Sequence, residues 1–190
     1  MRIVFVGPPG SGKGTQCKRL VDILRIPHLS TGEMLRQTKQ ARSALARQIS
    51  RYIDAGQLAP DYLVMRIIKY RFRQPDCETG CLLDGFPRTI PQAQQLDELL
   101  DSLGWRIDLV FYLHAEKDEL VRRLLHRSRL ESRADDTKET IDARLRVYET
   151  ATAPLLDYYQ SHGVLRRIDA MVDPDAVFAQ VRHCLKQLSC

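Results

Sequence analysis

The chain has 190 residues, a length that supports one domain with a sizeable buried core. Its formal net charge is +5, but most of its basic residues are scattered. Their one local cluster lies within 127–133 and has no interleaved aromatic residues. This pattern favours compact phosphates over a nucleic-acid backbone as the ligand. The five cysteines are an odd number, and none lies between Cys81 and Cys184 to complete a tetrahedral site, so we expect free thiols and no structural zinc.

Apolar periodicity predicts strands that alternate with helices along the whole chain. The predicted strands lie at about 2–6, 81–84, 109–114 and 164–168. The predicted helices span about 13–24, 31–42, 44–55, 61–73, 91–103 and 118–127, then a long segment from Asp136 that Pro154 kinks, and a closing helix that Asp173 and Pro174 open. Asp136 and Glu139 form a candidate capping box. This alternation predicts a parallel α/β sheet with helices on both faces and ligands at the carboxyl ends of its strands.

The first residues carry no signal for export or membrane insertion. A lone Arg2 and the four apolar residues 3–6 precede Gly7, which is too short a run for a signal peptide or a membrane span. We therefore expect a cytoplasmic protein with no membrane partner.

The most informative stretch is the sequence GPPGSGKGT at 7–15, which directly follows the apolar run. A strand, a glycine-rich turn and a helix start form a phosphate-binding loop (P-loop), in which backbone N–H groups and the helix macrodipole face anionic oxygens. The lysine of such a loop reaches the terminal phosphates of a nucleoside triphosphate. The residues expected to bind the triphosphate are Gly10, Ser11, Gly12, Lys13, Gly14 and Thr15. Because Gly14 directly follows the lysine, the hydroxyl that could serve a metal ion belongs to Thr15.

This loop and three later segments resemble the nucleoside monophosphate kinases, and the adenylate kinases in particular. The later segments are LSTGEMLR at 29–36 with DAGQL at 54–58, LLDGFPRT at 82–89, and RADD at 133–136. They follow the family order and span nearly the whole chain. The resemblance implies a single P-loop kinase domain over 1–190, built on a central parallel five-stranded sheet. It also implies an inserted monophosphate-binding segment at 30–59 and a short lid at 128–138.

The resemblance implies an acceptor site for AMP. Arg36 and Arg88 would hold the acceptor phosphate, while Thr31, Gly85 and Gln92 would line the acceptor base. A glutamine amide both donates and accepts hydrogen bonds, as the Watson–Crick edge of adenine requires. The full expected acceptor set is Thr31, Arg36, Ile53, Gln57, Leu58, Gly85, Arg88, Gln92, Arg133 and Arg144.

The resemblance also implies a donor site for ATP. Arg123 would pack on the ATP base, with Ala170 beside it, and further arginines would converge on the phosphates. Guanidinium groups fork onto phosphate oxygens, so a set of them offsets the repulsion between two nucleotides. The expected catalytic set is Lys13, Arg88, Arg127, Arg133 and Arg144.

The expected metal ion is Mg²⁺. Asp84 ends an apolar strand, where an acidic residue can orient Mg²⁺ through its water ligands. In the expected lid, Asp135 and Asp136 match residues that hold the closed form together.

The expected reaction is the reversible conversion of MgATP and AMP into two ADP by direct in-line displacement. The expected partners are ATP, AMP and ADP, and the expected state is a monomer. A UMP/CMP kinase is an alternative that Thr31 and Gln92 disfavour. A nucleotide-gated switch is another, but the chain lacks the Asn-Lys-x-Asp motif of GTPases. A third alternative, an RNA-binding protein with an incidental P-loop, is supported by the basic charge alone.

Overall fold

Five parallel strands form one sheet in the computed structural model, which describes residues 1–40, 44–131 and 137–188. The strands are β1 (Arg2–Val6), β2 (His28–Ser30), β3 (Cys81–Asp84), β4 (Leu109–His114) and β5 (Leu165–Asp169), in the spatial order β2-β3-β1-β4-β5. The predicted α/β class and five-stranded parallel sheet are confirmed. Because β1 pairs with β3 on one side and β4 on the other, the P-loop leaves the middle of the sheet. The chain changes direction across the sheet there, which is where ligands of open α/β sheets bind.

Helices cover both faces of the sheet. They are α1 (Lys13–Leu24), α2 (Thr31–Gln40), α3 (Ala44–Asp54), α4 (Asp61–Phe72), α5 (Ile90–Ser102), α6 (Lys117–Glu131), α7 (Lys138–Val147), α8 (Leu155–Ser161) and α9 (Pro174–Leu188). Asp173 starts α9 as predicted, since its carboxylate accepts hydrogen bonds from the next-turn amides of residues 175 and 176, both at 3.0 Å. Within the described ranges, no helix combines the length and apolarity needed to cross a lipid bilayer.

The side-chain alternation of β1 divides the core into two clusters. Ile3 and Phe5 face a cluster shared with α1, α6, α7 and α9, whereas Val4 and Val6 face one shared with α4, α5 and α8. Strand residues of a parallel sheet are buried on both faces, and all four of these side chains are 2% exposed or less. The P-loop therefore extends from a strand that is fixed on both sides.

Strand β2 is absent from the strands predicted along the sequence. It has three residues, and only Leu29 is both apolar and buried. A run this short carries no periodicity, so β2 forms through its parallel pairing with β3, in which Ser30 lies beside Asp84.

The predicted boundaries around residue 130 are wrong in two places. Helix α6 continues to Glu131 rather than ending near 127, since no Gly or Pro interrupts residues 128–131. Helix α7 begins at Lys138 with Thr137 as its N-cap, whose hydroxyl accepts from the Thr140 amide at 3.3 Å. The capping box of Asp136 and Glu139 is therefore not the start of α7; Asp136 itself lies outside the described residues. The interruption predicted at Pro154 is confirmed, because a π-helical turn (Tyr148–Thr152) and Pro154 separate α7 from α8.

Candidate active site

The loops at the carboxyl ends of the strands surround a cavity of about 1190 Å³. Cavities for one small molecule have volumes of roughly 300–1,000 Å³, so this one has room for more than a single nucleotide. All the predicted site residues within the described ranges line it except Ala170: Gly10, Ser11, Gly12, Lys13, Gly14, Thr15, Thr31, Arg36, Ile53, Gln57, Leu58, Asp84, Gly85, Arg88, Gln92, Arg123, Arg127 and Arg144. Arg133, Asp135 and Asp136 lie outside the described residues.

The P-loop wraps around the side chain of its own lysine. The Nζ atom of Lys13 donates hydrogen bonds to the carbonyls of Gly7 at 2.7 Å and Pro8 at 2.9 Å. The turn that allows this closeness includes Gly12, which has a φ of 91° and precedes the first residue of α1. The amides at the start of α1 thus face the cavity together with an ammonium group that the loop holds in place.

The charge state of Lys13 is finely balanced. Desolvation lowers the pKa of its ammonium to about 8, the nearby Asp84 carboxylate opposes this shift, and the Arg88 and Arg127 guanidinium groups add to it. An anion that enters the cavity would stabilise the charged form of Lys13, because it offsets both the lost hydration and the neighbouring positive charges.

Asp84 ends β3 as an ionised carboxylate. Burial opposes its ionisation, but a hydrogen bond from His28 and the charges of Lys13 and Arg88 outweigh burial and hold the pKa of Asp84 below its ordinary value. The Nε2 atom of His28 lies 3.2 Å from Oδ2 of Asp84. An ionised carboxylate and the exposed hydroxyl of Thr15 on the same cavity wall are hard oxygen donors of the kind that Mg²⁺ prefers.

A second set of possible metal ligands surrounds the same carboxylate. Ligand atoms of Cys17, His28 and Asp84 all lie within 4.8 Å of one another. Burial and the Asp84 charge raise the pKa of the Cys17 thiol well above its ordinary value, so the sulfur stays protonated, and the cations around the cavity favour anions over a bare divalent ion.

Arg88 is the central cation of the expected acceptor side. Its Nε donates to the Gly85 carbonyl at 2.8 Å, and its own carbonyl accepts from the Thr152 hydroxyl at 2.9 Å. Burial lowers the pKa of Arg88, Asp84 opposes this effect, and the Arg144 and Arg36 guanidinium groups contribute to the lowering. The Arg144 and Arg36 guanidinium groups therefore lie close enough to Arg88 to disfavour its charge, an arrangement that an oxyanion would stabilise.

The expected base-binding wall is a small hydrogen-bonded unit. The Thr31 hydroxyl donates to the Gly85 carbonyl at 2.7 Å. The Gln92 side chain, 1% exposed, accepts from the Arg88 amide at 2.8 Å and donates to Asp61 at 2.6 Å. One N–H and one lone pair of the Gln92 carboxamide remain for a ligand.

On the opposite side of the cavity, Arg123 is held between two acceptors. Its Nε bonds to Glu119 at 2.6 Å and its Nη2 to the Ala170 carbonyl at 2.8 Å. Hydrogen bonds from Arg122 and Arg123 lower the pKa of Glu119 to about 2. Ala170 is buried and does not line the cavity, whereas Met171 and Val172 do. In this structure the Ala170 carbonyl positions Arg123, and its place beside the ATP base stays a prediction.

Comparison with known proteins identifies the family. A sequence model described as adenylate kinase matches residues 5–164. An adenylate kinase of Rhodopirellula baltica is 46% identical over 185 residues, which cover 97% of this chain and 95% of the relative. An adenylate kinase of Cyanothece sp. is 44% identical over 187 residues, covering 98% and 96%. The chain belongs to the adenylate kinase family. Its length is not universal among adenylate kinases: the alignment with that of Archaeoglobus fulgidus, 38% identical and covering 99% of both chains, extends over 215 positions.

Two residues that line the cavity of this adenylate kinase family member escaped the sequence analysis. Nε2 of Gln16 and Nη1 of Arg19 both donate to the Pro174 carbonyl, at 3.1 and 2.9 Å. They fix the loop before α9, whose Met171 and Val172 line the cavity. Gln16 and Arg19 are three residues apart, so they lie next to each other on the surface of α1. Their shared partner, Pro174, is 158 positions away from Gln16 along the chain, so no local pattern indicates the contact.

Replacement of Gly85 by alanine tests the packing of the acceptor wall. Gly85 has a φ of 77°, and an added Cβ would lie 3.0 Å from both Nη2 of Arg88 and Oγ1 of Thr31. An L-residue pays about 1–2 kcal/mol for a left-handed backbone, and here the new methyl group also displaces two hydrogen-bonded side chains. We expect Gly85→Ala to lower the free energy of unfolding in urea by more than the backbone term alone.

Gly104→Ala is the matched control, because Gly104 has a φ of 69° and no atom within 4 Å of an added Cβ. This variant has the unfavourable left-handed backbone conformation of an L-residue but no steric overlap of the added methyl group. Equal losses of stability in Gly85→Ala and Gly104→Ala would contradict the close packing of Gly85 against Thr31 and Arg88.

Proposed function

We propose that the chain catalyses reversible transfer of the γ-phosphoryl group of MgATP to AMP, giving two ADP, by direct in-line displacement. As a member of the adenylate kinase family, it is a nucleoside monophosphate kinase. The observation that carries the proposal is the convergence of Lys13 and several arginines from separate parts of the chain on one cavity; the described arginines among them are Arg36, Arg88, Arg123, Arg127 and Arg144.

The electrostatics support two bound nucleotides rather than one. A triphosphate and a monophosphate bring four mutually repelling phosphate groups into one cavity, and each needs cationic partners there. The P-loop and Lys13 would provide the partners for the phosphates of the donor nucleotide. Arg88, together with the Arg36 and Arg144 guanidinium groups that act on it, provides the partner for a second phosphate. A binding module for a single nucleotide has no use for that second group.

The P-loop would hold the donor phosphates. Lys13 has three N–H donors. Two contact the carbonyls of Gly7 and Pro8, and the third makes a longer contact of 3.4 Å with the Ser11 hydroxyl, which a phosphate oxygen can replace. Asp84 and Thr15 would hold Mg²⁺, with Asp84 acting through water ligands. When bound, this ion screens the phosphate charges and orients the transferred group.

The acceptor side needs positioning rather than a base. An AMP phosphate oxygen is already ionised near neutral pH, so the attack requires no proton transfer. Arg88, anchored at both its side chain and its carbonyl, would hold that phosphate in line with the γ-phosphorus. Fixed positioning of two reactants removes much of the entropic part of the barrier.

Family membership supports three further proposals about the protein as a whole. We expect it to act as a monomer in the cytoplasm, and we expect neither nucleic acid nor a membrane among its partners. Because exposed γ-phosphate is open to attack by water, we also propose that the 30–59 segment and the 128–138 lid close over the bound substrates.

Acceptor competition tests the proposed reaction. We expect transfer from MgATP to AMP to exceed transfer to CMP, UMP and GMP, since Thr31 and Gln92 match the family positions that line an adenine base. The measurement is chromatographic separation of each diphosphate product.

Arg88→Ala should lower turnover with AMP by roughly two to three orders of magnitude through loss of a charged phosphate contact.

Product identity separates the alternatives. Preferred formation of CDP or UDP would leave the phosphoryl-transfer chemistry and overturn the assigned acceptor base. Tight ATP binding without transfer to any monophosphate would overturn the proposed function altogether.

Lys13 predicts how ATP affinity depends on pH. The pKa of Lys13 is about 8 without ligand, and phosphate contact must raise it, so binding takes up a proton. Affinity should be nearly constant below pH 7 and should fall by roughly tenfold between about pH 7 and pH 9, as the free ammonium loses its proton. Calorimetric titration across this range measures it. Lys13→Met should bind ATP more weakly, and a pH dependence as steep as that of the unchanged protein would exclude Lys13 as its source.

Small-angle scattering tests the proposed closure. A bisubstrate analogue that joins two adenosines through phosphates should reduce the radius of gyration, because it engages both the donor and acceptor sides. ATP alone should give a smaller reduction. An unchanged radius of gyration with the bisubstrate analogue would contradict closure while leaving the transfer reaction open to its own assay.

A further inference from the structure

Gln92 is held by two groups of opposite hydrogen-bonding character. Its Oε1 accepts from the main-chain N–H of Arg88 at 2.8 Å, and its Nε2 donates to Oδ1 of Asp61 at 2.6 Å. A main-chain N–H can only donate and a carboxylate can only accept. The two contacts therefore determine which end of the carboxamide is oxygen and which is nitrogen.

The backbone of Gln92 is fixed as well. Gln92 lies in the first turn of α5, where its amide donates to the side-chain oxygen of the N-cap residue Thr89 at 3.2 Å. Asp61 is the first residue of α4, directly after the 30–59 segment and the N-cap residue Pro60. The carboxamide thus bridges the start of α4 and the start of α5, and Gln92 lines the cavity.

The direction of this carboxamide bears on base recognition. Adenine has a donor at position 6, its N6 amino group, beside the acceptor N1, whereas a 6-oxopurine has the acceptor O6 beside a donor at N1. A glutamine that rotates by 180° about its last bond can pair with either edge. A glutamine locked in one direction can pair well with only one of them, since the other edge would face donor with donor and acceptor with acceptor.

We propose that Asp61 is a specificity-determining positioning residue, which locks the Gln92 carboxamide and so makes the acceptor site prefer a 6-aminopurine over a 6-oxopurine monophosphate. This inference rests on the proposed function. Asp61 does not line the cavity; it acts through Gln92 alone. Without the Asp61 carboxylate, the Arg88 amide is the one hydrogen-bonding partner among the described residues that still opposes rotation of the carboxamide.

The test compares AMP with IMP as acceptors at saturating MgATP, with ADP and IDP separated by chromatography. IMP is the suitable probe because it differs from AMP only along the edge that Gln92 would contact. Asp61→Ala should lower the ratio of kcat/KM for AMP to that for IMP by about tenfold or more, the scale expected when a buried polar pairing is lost. Asp61→Asn should retain most of the selectivity, because the amide oxygen of asparagine can still accept from Nε2 of Gln92.

Two further variants keep the test decisive. Asp61→Ser suits a helix start and has a shorter hydroxyl that can donate or accept, so it should lose selectivity even if Asp61→Ala does not fold. Asp97→Ala is the matched control: Asp97 lies on α5, the helix of Gln92, and accepts from the Tyr158 hydroxyl at 2.6 Å, but it is outside the cavity. It should leave the AMP to IMP ratio unchanged.

The outcomes distinguish this inference from the proposed function. Absence of transfer to AMP by the unchanged protein would overturn the proposed function. Normal transfer to AMP, together with an unchanged ratio in Asp61→Ala and Asp61→Ser, would overturn the role of Asp61 alone. An equal loss of selectivity in Asp97→Ala would also overturn it, because the effect would then follow from loosening of α5 in general.

Discussion

The concentration of positive charge in one partly desolvated cavity is the constraint on which the site depends. Lys13 and Arg88 each lose hydration there, and desolvation is the largest influence on the pKa of both. Such a group is stable only where fixed dipoles or opposite charges replace water. Asp84 supplies the opposite charge to both residues. Fixed dipoles in the site also replace the water that these two cations lose, and anions that enter the open space of the cavity would provide the remaining stabilisation.

Main-chain carbonyls supply most of those dipoles. Those of Gly7 and Pro8 accept from Lys13, that of Gly85 accepts from Arg88, and that of Ala170 accepts from Arg123. Each carbonyl belongs to a loop at the carboxyl end of a strand, so the sheet sets the positions of the cations. Groups that are already oriented need little reorganisation when charge develops in a reaction. The fold thus prepares the cavity for phosphates before any substrate enters.

The sequence predicts the parts of this site that are contiguous and misses the parts that depend on distant pairing. The P-loop is a single run after an apolar strand, so its strand, its turn and Lys13 follow from local patterns. Strand β2 and its His28 acquire their structure from β3, more than 50 residues away, where His28 contacts Asp84. Asp61 is an ordinary residue at a helix start in the sequence, and its contact with Gln92 exists only because α4 and α5 meet. Long-range partners of this kind leave no periodic signal.

Hydrogen bonds connect the residues proposed to recognise the acceptor base with the residue proposed to bind its phosphate. Gln92 accepts from the amide of Arg88, and the Gly85 carbonyl accepts from both Thr31 and the Arg88 side chain. If Gln92 binds the base as proposed, a base that pairs poorly with it would disturb Arg88, the residue proposed to hold the acceptor phosphate. Since in-line transfer depends on sub-ångström placement of the attacking oxygen, a poor match at the base should reduce turnover as well as affinity. Selection of the acceptor would then occur in the transition state, where discrimination between substrates has its greatest effect.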